Sequence, residues 1–418
     1  MVGRIWSYLR QYETHGALVG RVRPGAVRWP GTVPDAIVVP ASRPATNLEH
    51  AIDLARAAGS HLVVLCSLEA RAAEVVAYCT ERSFTKAVPV DVPPGYQHEL
   101  VAFDTARRLL PEGCANPNGD LSAKRNLGLI LARMAGWKRI FFLDDDIREL
   151  RAADLRATVA MLGQYRSAGM RVEKFPDNSV VCHARRQTGD EQDVFVTGSV
   201  LAVNCESPFS FFPEIYNEDW LFFYDDVRTG QLGSSGRLAT QLPYDPFANP
   251  RRARQQEFGD VLAEGLYALL HKGAGPEHAT SLYWNEFIDA RLSLLVKLKK
   301  RAESSGRNDM CRALDSAITS LIFVQPQMCE DYIRTWRDDL SRWHRALPGV
   351  PRVGSIDAAL RTLDLDRSRA GRRVPRPGLR AGRALAAQAA MLDLVLGLGM
   401  PPVRQDSTRL GRGRRTGT

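Results

Sequence analysis

Three consecutive carboxylates, Asp144-Asp145-Asp146, follow directly on the apolar run Arg139-Ile140-Phe141-Phe142-Leu143. Like charges packed this closely repel unless a cation or a proton shares the site, so the chemistry open to the triplet is to hold a metal ion. Its plain alternative is a solvated acidic turn. Upstream, Asp120-Leu121-Ser122-Ala123-Lys124-Arg125-Asn126 reads as a helix opening, with Ser122 or Asp120 as N-cap and Leu127, Ile130, Leu131 and Met134 as its buried stripe. Two cations in a first turn oppose the helix dipole. A bound anion such as a diphosphate would account for Lys124 and Arg125, as would an ion pair of Arg125 with a nearby carboxylate. Downstream, Asn217-Glu218-Asp219 lies inside the aromatic stretch from Phe211 to Phe223. Acids flanked by Tyr216, Trp220 and Phe222 are partly desolvated, which raises a carboxyl pKa toward what a general base needs. The plain alternative is that Asn217 or Glu218 caps a helix that buries Trp220 and Phe223, a reading that suits Asp219 less.

These groups need a scaffold, and the hydrophobic periodicity supplies one. Strands are expected at 36–40, 61–66, 87–90 and 139–143, with helices opening at Thr46 or Asn47 and stopping at Gly59, then over 69–80 and 123–135. Strands that are apolar throughout and alternate with helices point to a parallel sheet covered on both faces. The triplet then sits at the carboxyl edge of that sheet, where open α/β sheets bind ligands. Beyond it, 179–182 and 194–203 read as strands. The chain after Pro250 reads as helices over 255–271, 280–304, 308–345 and 355–363.

The chain has 418 residues and seven scattered cysteines, with no C-x-x-C pair, which suits free thiols in a reducing compartment. Its formal charge of +9 is concentrated at the end: from Arg367 onward there are twelve Arg and two Asp, so the preceding body is close to neutral. A neutral body with aromatics among acids does not suit nucleic-acid binding. No apolar run reaches the roughly 18 residues of a membrane span, and the opening Met1-Val2-Gly3-Arg4-Ile5-Trp6 lacks the apolar core of a secretory signal, so the expected location is cytoplasmic. The tail joins a basic segment, 367–383, to an apolar one, 384–400. That composition suits peripheral contact with an anionic membrane surface, docking on the helical region of the same chain or of a second subunit, or polyanion binding.

Strand, Ser42-Arg43, two further strands, a Lys-Arg-Asn-leading helix and then Phe-Phe-Leu-Asp-Asp-Asp together resemble the nucleotide-sugar-binding half of a GT-A fold glycosyltransferase of family 2-like type, with its DxD motif. The later Asn-Glu-Asp-Trp is similar to the acidic motif that supplies the base in inverting members. The resemblance covers about residues 34–270. It implies an α/β fold with a GT-A-like, Rossmann-type mixed sheet flanked by helices and a C-terminal helical extension. The expected divisions are a lead-in (1–33), a catalytic domain (34–254), the extension (255–365) and a basic linker and tail (366–418). It also implies a hexosyltransferase that uses a UDP- or GDP-sugar donor, an unidentified acceptor and Mn²⁺ or Mg²⁺.

By position, Ser42, Arg43 and Asp91 would contact the nucleoside, and Lys124 and Arg125 the diphosphate. Asp144 would lie near the ribose with Asp145 beside it, and Asp146 together with Asp144 would bind the metal. His271 would complete the metal site, with His278 as the alternative. Gly198 and Ser199 would form a close-approach turn near the acceptor, and Asp219, beside Glu218, would deprotonate the acceptor hydroxyl. A retaining enzyme of the same fold shares the first half. A phosphoaspartate phosphatase fits less well, because Arg148 stands where it needs Thr or Val. A nucleotidyltransferase or a non-catalytic nucleotide-binding protein would share the sheet, but Ala41-Ser42-Arg43-Pro44 has no glycine-rich phosphate loop.

Overall fold

Apolar strands between amphipathic helices assemble into one mixed sheet. The computed structural model describes residues 11–21, 32–108, 110–111, 120–173, 179–193 and 195–365; the basic linker and tail, with their expected membrane or docking role, lie outside these, as does most of the lead-in. In chain order the strands are β1 (Gly20–Arg21), β2 (Ala36–Ala41), β3 (His61–Cys66), β4 (Ala87–Asp91), β5 (Arg139–Leu143), β6 (Ile147–Arg148), β7 (Ser167–Glu173), β8 (Val200–Asn204) and β9 (Leu232–Gln241). The sheet order is β1-β9-β7-β8-β5-β2-β3-β4, with β6 paired to β9.

The block β4-β3-β2-β5 is parallel, in the register Val38 opposite Val63 and Phe142. β8 runs antiparallel to both β5 and β7. After β2 the chain moves outward to β3 and β4, then returns to place β5 on the other side of β2. That reversal opens a crevice at the carboxyl ends of β2 and β5, the usual ligand position of a doubly wound sheet. Ser42 and Arg43 leave one lip; Asp144 to Asp146 leave the other.

The helices are α1 (Glu49–Ala58), α2 (Ala72–Glu81), α3 (Leu121–Ala135), α4 (Ala152–Ala160), α5 (Val180–Gln187), α6 (Glu218–Arg228), α7 (Pro250–His271), α8 (Ser281–Ser304), α9 (Asn308–Leu321), α10 (Pro326–Ala346) and α11 (Ile356–Thr362). Alternation along each strand divides the core. Ile37, Val39, Leu62, Val64 and Phe141 pack with α1, α2 and α4 on one face. Val38, Val63, Leu65, Ile140 and Phe142 pack with α3 and the later helices on the other. The described residues belong to one compact unit, and the expected boundary at 254 falls inside α7. None of the described helices is long and apolar enough to cross a membrane.

Three expectations change. Of the strand expected over 194–203, only Val200–Asn204 is one; the described residues 195–199 lead into and form the turn that approaches Asp219. The apolar run 179–182 begins a helix: Ser179 Oγ accepts from Cys182 N at 3.2 Å as an N-cap, and Gln256 Oε1 takes the Val180 amide at 2.9 Å. β-Branched residues favour strands only weakly against such tertiary partners. The helix expected over 308–345 is two helices, because Pro326 starts α10 afresh. α3 is also buried on more than its predicted stripe: Gly128 and Leu129 are enclosed too, since the later helical layer covers its far side.

Gly128 is where α3 meets the sheet, and a Cβ there would stand 2.8 Å from Val38 Cγ1 and 3.1 Å from Phe142 Cε1. Gly128→Ala is therefore expected to lose about 1–3 kcal/mol through overpacking, despite the better helix propensity of alanine. Urea unfolding checks this; an unchanged midpoint would mean that the two strands yield freely.

Candidate active site

α3 is the element that organises the crevice, and its first turn works in two directions. Toward the sheet, the buried Lys124 ammonium donates to Ala41 O (3.1 Å), Ser42 Oγ (3.0 Å) and Ser67 Oγ (2.9 Å), with Asp120 at 3.4 Å. Burial lowers its pKa, against the pull of Asp120. Away from the sheet, Ser122 Oγ donates to Pro213 O (2.8 Å), while the Asn126 amide donates to Phe212 O and accepts from Phe212 N, both at 2.8 Å. One helical turn thus pins the end of β2 and the segment leading into α6.

Arg125 joins the acids. It is 2% exposed; Nη2 donates to both Asp144 oxygens at 3.0 Å, Nη1 reaches Glu218 Oε1 at 2.5 Å, and the guanidinium lies 5.4 Å from the Phe212 ring centroid. Burial works against its charge, but Asp144 and Glu218 outweigh burial and hold it firmly protonated. The two cations of the first turn are therefore paired inside the chain, and neither presents an open charge to solvent. The ion pair expected for Arg125 is present, with Asp144 and with Glu218.

The lip residues meet across the crevice. Ser42 N and Arg43 N donate to Asp145 Oδ2 at 2.7 and 2.9 Å. The Arg43 side chain, 46% exposed, pairs with Asp145 and with Asp146 Oδ2, the latter at 3.0 Å. Gln241, at the end of β9, also donates to Asp146 Oδ2 at 3.0 Å. Burial, then the neighbouring Asp144, raises the Asp146 pKa. The backbone is fixed as well: Asp144 N donates to Ser199 O at 3.0 Å and Leu242 N to Asp146 O at 2.9 Å.

α6 begins at Glu218, so Glu218 and Asp219 occupy its first turn, where the helix dipole favours acids. Asp219 Oδ2 accepts from Gly198 N at 2.8 Å and Oδ1 from Trp220 N at 2.9 Å. A Cβ on Gly198 would stand 2.8 Å from Arg125 Nη1 and 2.9 Å from Asp219 Cβ, so only glycine lets the 197–199 turn close on this pair. Burial raises the pKa of both Glu218 and Asp219, in spite of Arg125. A proton acceptor that is partly desolvated yet held by two amides is what general-base chemistry requires.

The structure thus brings together Ser42, Arg43, Lys124, Arg125, Asp144, Asp145, Asp146, Gly198, Ser199, Glu218 and Asp219. Asp91 stands at the end of β4, where its Oδ1 takes the Ala72 amide at 2.8 Å and caps α2. His271 lies elsewhere: its Nε2 is 3.0 Å from His15 Nδ1 and its ring stacks on Tyr12 at 4.0 Å. His278 pairs with Glu277. Among the described residues no three His, Cys, Asp or Glu side chains converge on one point, so neither histidine joins Asp144 and Asp146 as a third ligand. Gln241 carries no sequence signal, because it reaches Asp146 across a long stretch of chain, and the contact of Asn126 with Phe212 is hidden for the same reason.

No protein-family model matches the chain, and no curated protein matches it in sequence. Among solved structures it is similar to the mannosyltransferase PcManGT from Pyrobaculum calidifontis in complex with GDP-Man and Mn²⁺, at 15% identity and a TM-score of 0.39, covering 78% of this chain and 90% of that one. A likeness at that level assigns neither family nor activity.

The raised Glu218 pKa has a consequence for stability. Below its ordinary value of about 4.3 the carboxyl is protonated whether folded or not. Above that value the unfolded chain releases a proton that the folded chain keeps, so rising pH favours unfolding until the folded value is passed. Glu218→Gln should remove this part of the pH dependence and gain on the parent as pH rises from about 5 to neutrality. Urea midpoints across that range test it; parallel curves for the two proteins would refute it.

Proposed function

We propose that the chain is a metal-dependent glycosyltransferase of GT-A type, which moves a hexose from a UDP- or GDP-sugar to an acceptor hydroxyl with inversion. The observation that carries this reading is the Arg125 bridge. One buried guanidinium sets Asp144 of the acid triplet beside Glu218 and Asp219 at the switch point of the sheet. A carboxylate that would hold a metal ion for the leaving diphosphate and a group that would take a proton are then adjacent, as a displacement at a sugar carbon requires.

The donor set suits Mg²⁺ or Mn²⁺. Asp144 and Asp146 offer hard carboxylate oxygens, and Arg43 already rests its positive charge against Asp146. Ions of this class are commonly held by one or two carboxylates, the remaining oxygens coming from phosphates and water, so a closed protein cage is not needed. When bound, the ion would neutralise charge developing on the diphosphate. Arg43, the exposed cation of the crevice, would turn from the triplet to the donor. Ser42 and Asp91, at the ends of β2 and β4, would line the nucleoside side. Lys124 and Arg125 act from behind, holding strand end and acids in place. Asp219 would accept the hydroxyl proton, while Gly198 N and Trp220 N keep its carboxylate oriented; Glu218, protonated or paired with Arg125, keeps the neighbouring charge low.

A thermal-stability screen of UDP- and GDP-sugars with Mn²⁺ identifies the donor, because a ligand specific to the folded state raises its apparent stability. Asp146→Asn is expected to abolish metal-dependent donor binding and to leave the fold intact. Full affinity in that variant would remove the metal assignment. Asp219→Asn keeps the shape but not the basicity, so turnover should fall by about 10²-fold or more, with donor affinity within a few-fold. If binding and turnover fall together, Asp219 is structural instead.

A further inference from the structure

Asn217 enters α6 at φ 62° and ψ 35°, a left-handed conformation that suits Gly, Asn or Asp and few others. Three contacts from α7 hold that entry. A Cβ on Gly259 would stand 2.2 Å from Tyr216 O, so the bare glycine lets the α7 backbone close on this carbonyl. One residue on, Asp260 Oδ1 accepts from Asn217 Nδ2 at 2.8 Å. About two turns further, Tyr267 Oη donates to Trp220 O at 3.0 Å.

Asp260 is itself fixed in the core. Its Oδ2 accepts from Arg291 Nη2 at 2.8 Å. Arg291 has a fully buried side chain, which also donates to both Glu257 oxygens, at 2.8 and 2.9 Å, and to Gln11 Oε1. Apolar residues of similar size would stabilise this region at least as well as a buried ion-pair cluster. What apolar packing cannot supply is a directional grip on one side-chain amide.

We propose that Asn217 and Asp260 are positioning residues for Asp219: the Asp260 carboxylate, aimed by Arg291, holds Asn217 left-handed and so fixes the rotation at which α6 presents Asp219 to Gly198. The proposal rests on the reading of Asp219 as the base. Asp219 lies two residues after Asn217, and its bond to Gly198 N depends on the phase of the first helical turn. Each helical residue advances by about 100°, so relaxation of Asn217 to an ordinary backbone conformation carries the carboxylate away.

The test compares two variants of the full chain. Asn217→Gly leaves the left-handed conformation accessible and deletes the amide; Asn217→Ala deletes the amide and disfavours the conformation. In both, hydrogen–deuterium exchange should rise about tenfold in the peptide covering 218–221, and turnover should fall by tens of fold, since a shift of about 1 Å is worth up to 10²-fold. Mn²⁺-dependent affinity for UDP or GDP should stay within about threefold and the thermal midpoint should stay near that of the parent. Parent-like exchange and turnover in Asn217→Gly would overturn the proposal, because the backbone conformation alone would then suffice. So would exchange rising throughout α6 and α7 with loss of nucleotide affinity, which marks a general structural role. If the parent transfers no sugar from any UDP- or GDP-sugar with Mn²⁺, the glycosyltransferase reading fails, and the exchange in the 218–221 peptide decides the anchor by itself.

Discussion

One buried guanidinium holds this molecule's two acidic elements together. Asp144 belongs to the end of a sheet strand and Glu218 to the start of a helix more than seventy residues later; Arg125 is the donor that both carboxyl groups share. Removing one partner from such a cluster typically costs several kcal/mol, because the remaining charges stay buried. Several features around α3 serve this juxtaposition. Gly198 has no side chain to obstruct it, Asn126 and Ser122 bring the 212–213 backbone within reach, and Lys124 ties the same helical turn to the ends of β2 and β3.

The later helices complete the site. Their apolar faces share a core with α3 and one face of the sheet, and α7 carries the contacts that seat the start of α6. An α3 enclosed by the sheet on one side and by the 212–213 segment and α11 on the other can bury cations in its first turn without leaving them unpaired, since partners approach from both directions. The same enclosure explains why Lys124 is lowered by burial while Arg125 is held high: one is solvated mostly by neutral oxygens, the other by carboxylates.

Much of this was legible in the sequence wherever the information is local. Four apolar runs between helical periods mark β2 to β5, and their order alone puts Asp144 to Asp146 at a sheet edge. The acid pair inside an aromatic stretch correctly signals desolvation, because aromatic bulk excludes water wherever it packs. What stays hidden depends on partners distant in the chain. Ser179-Val180-Val181-Cys182 reads as a strand until Gln256 caps its amide. His271 has the chemistry of a metal ligand, but α7 delivers it to His15 and Tyr12. Lys124 and Arg125 look like an open anion site from their place on the helix alone, and only the fold supplies Asp144, Glu218 and the strand-end oxygens that engage them.

The crevice also carries a charge imbalance that constrains its chemistry. With Lys124 set against Asp120, the carboxyls of Asp144, Asp145, Asp146, Glu218 and Asp219 face the guanidinium groups of Arg43 and Arg125. Acids in excess of cations in a buried place must take up protons or attract a cation, and the raised pKa values of Asp146, Glu218 and Asp219 are the first of these responses. A fold selected for stability alone would replace the surplus acids with apolar residues. Here the surplus is divided in a particular way. Asp146 shares its excess with the half-exposed Arg43, while Glu218 and Asp219 share theirs with the enclosed Arg125. The strand side of the crevice therefore meets its excess charge with a cation that solvent can still reach, and the helix side with one that is locked between two elements, so the geometry is fixed more firmly at the start of α6 than at Asp146.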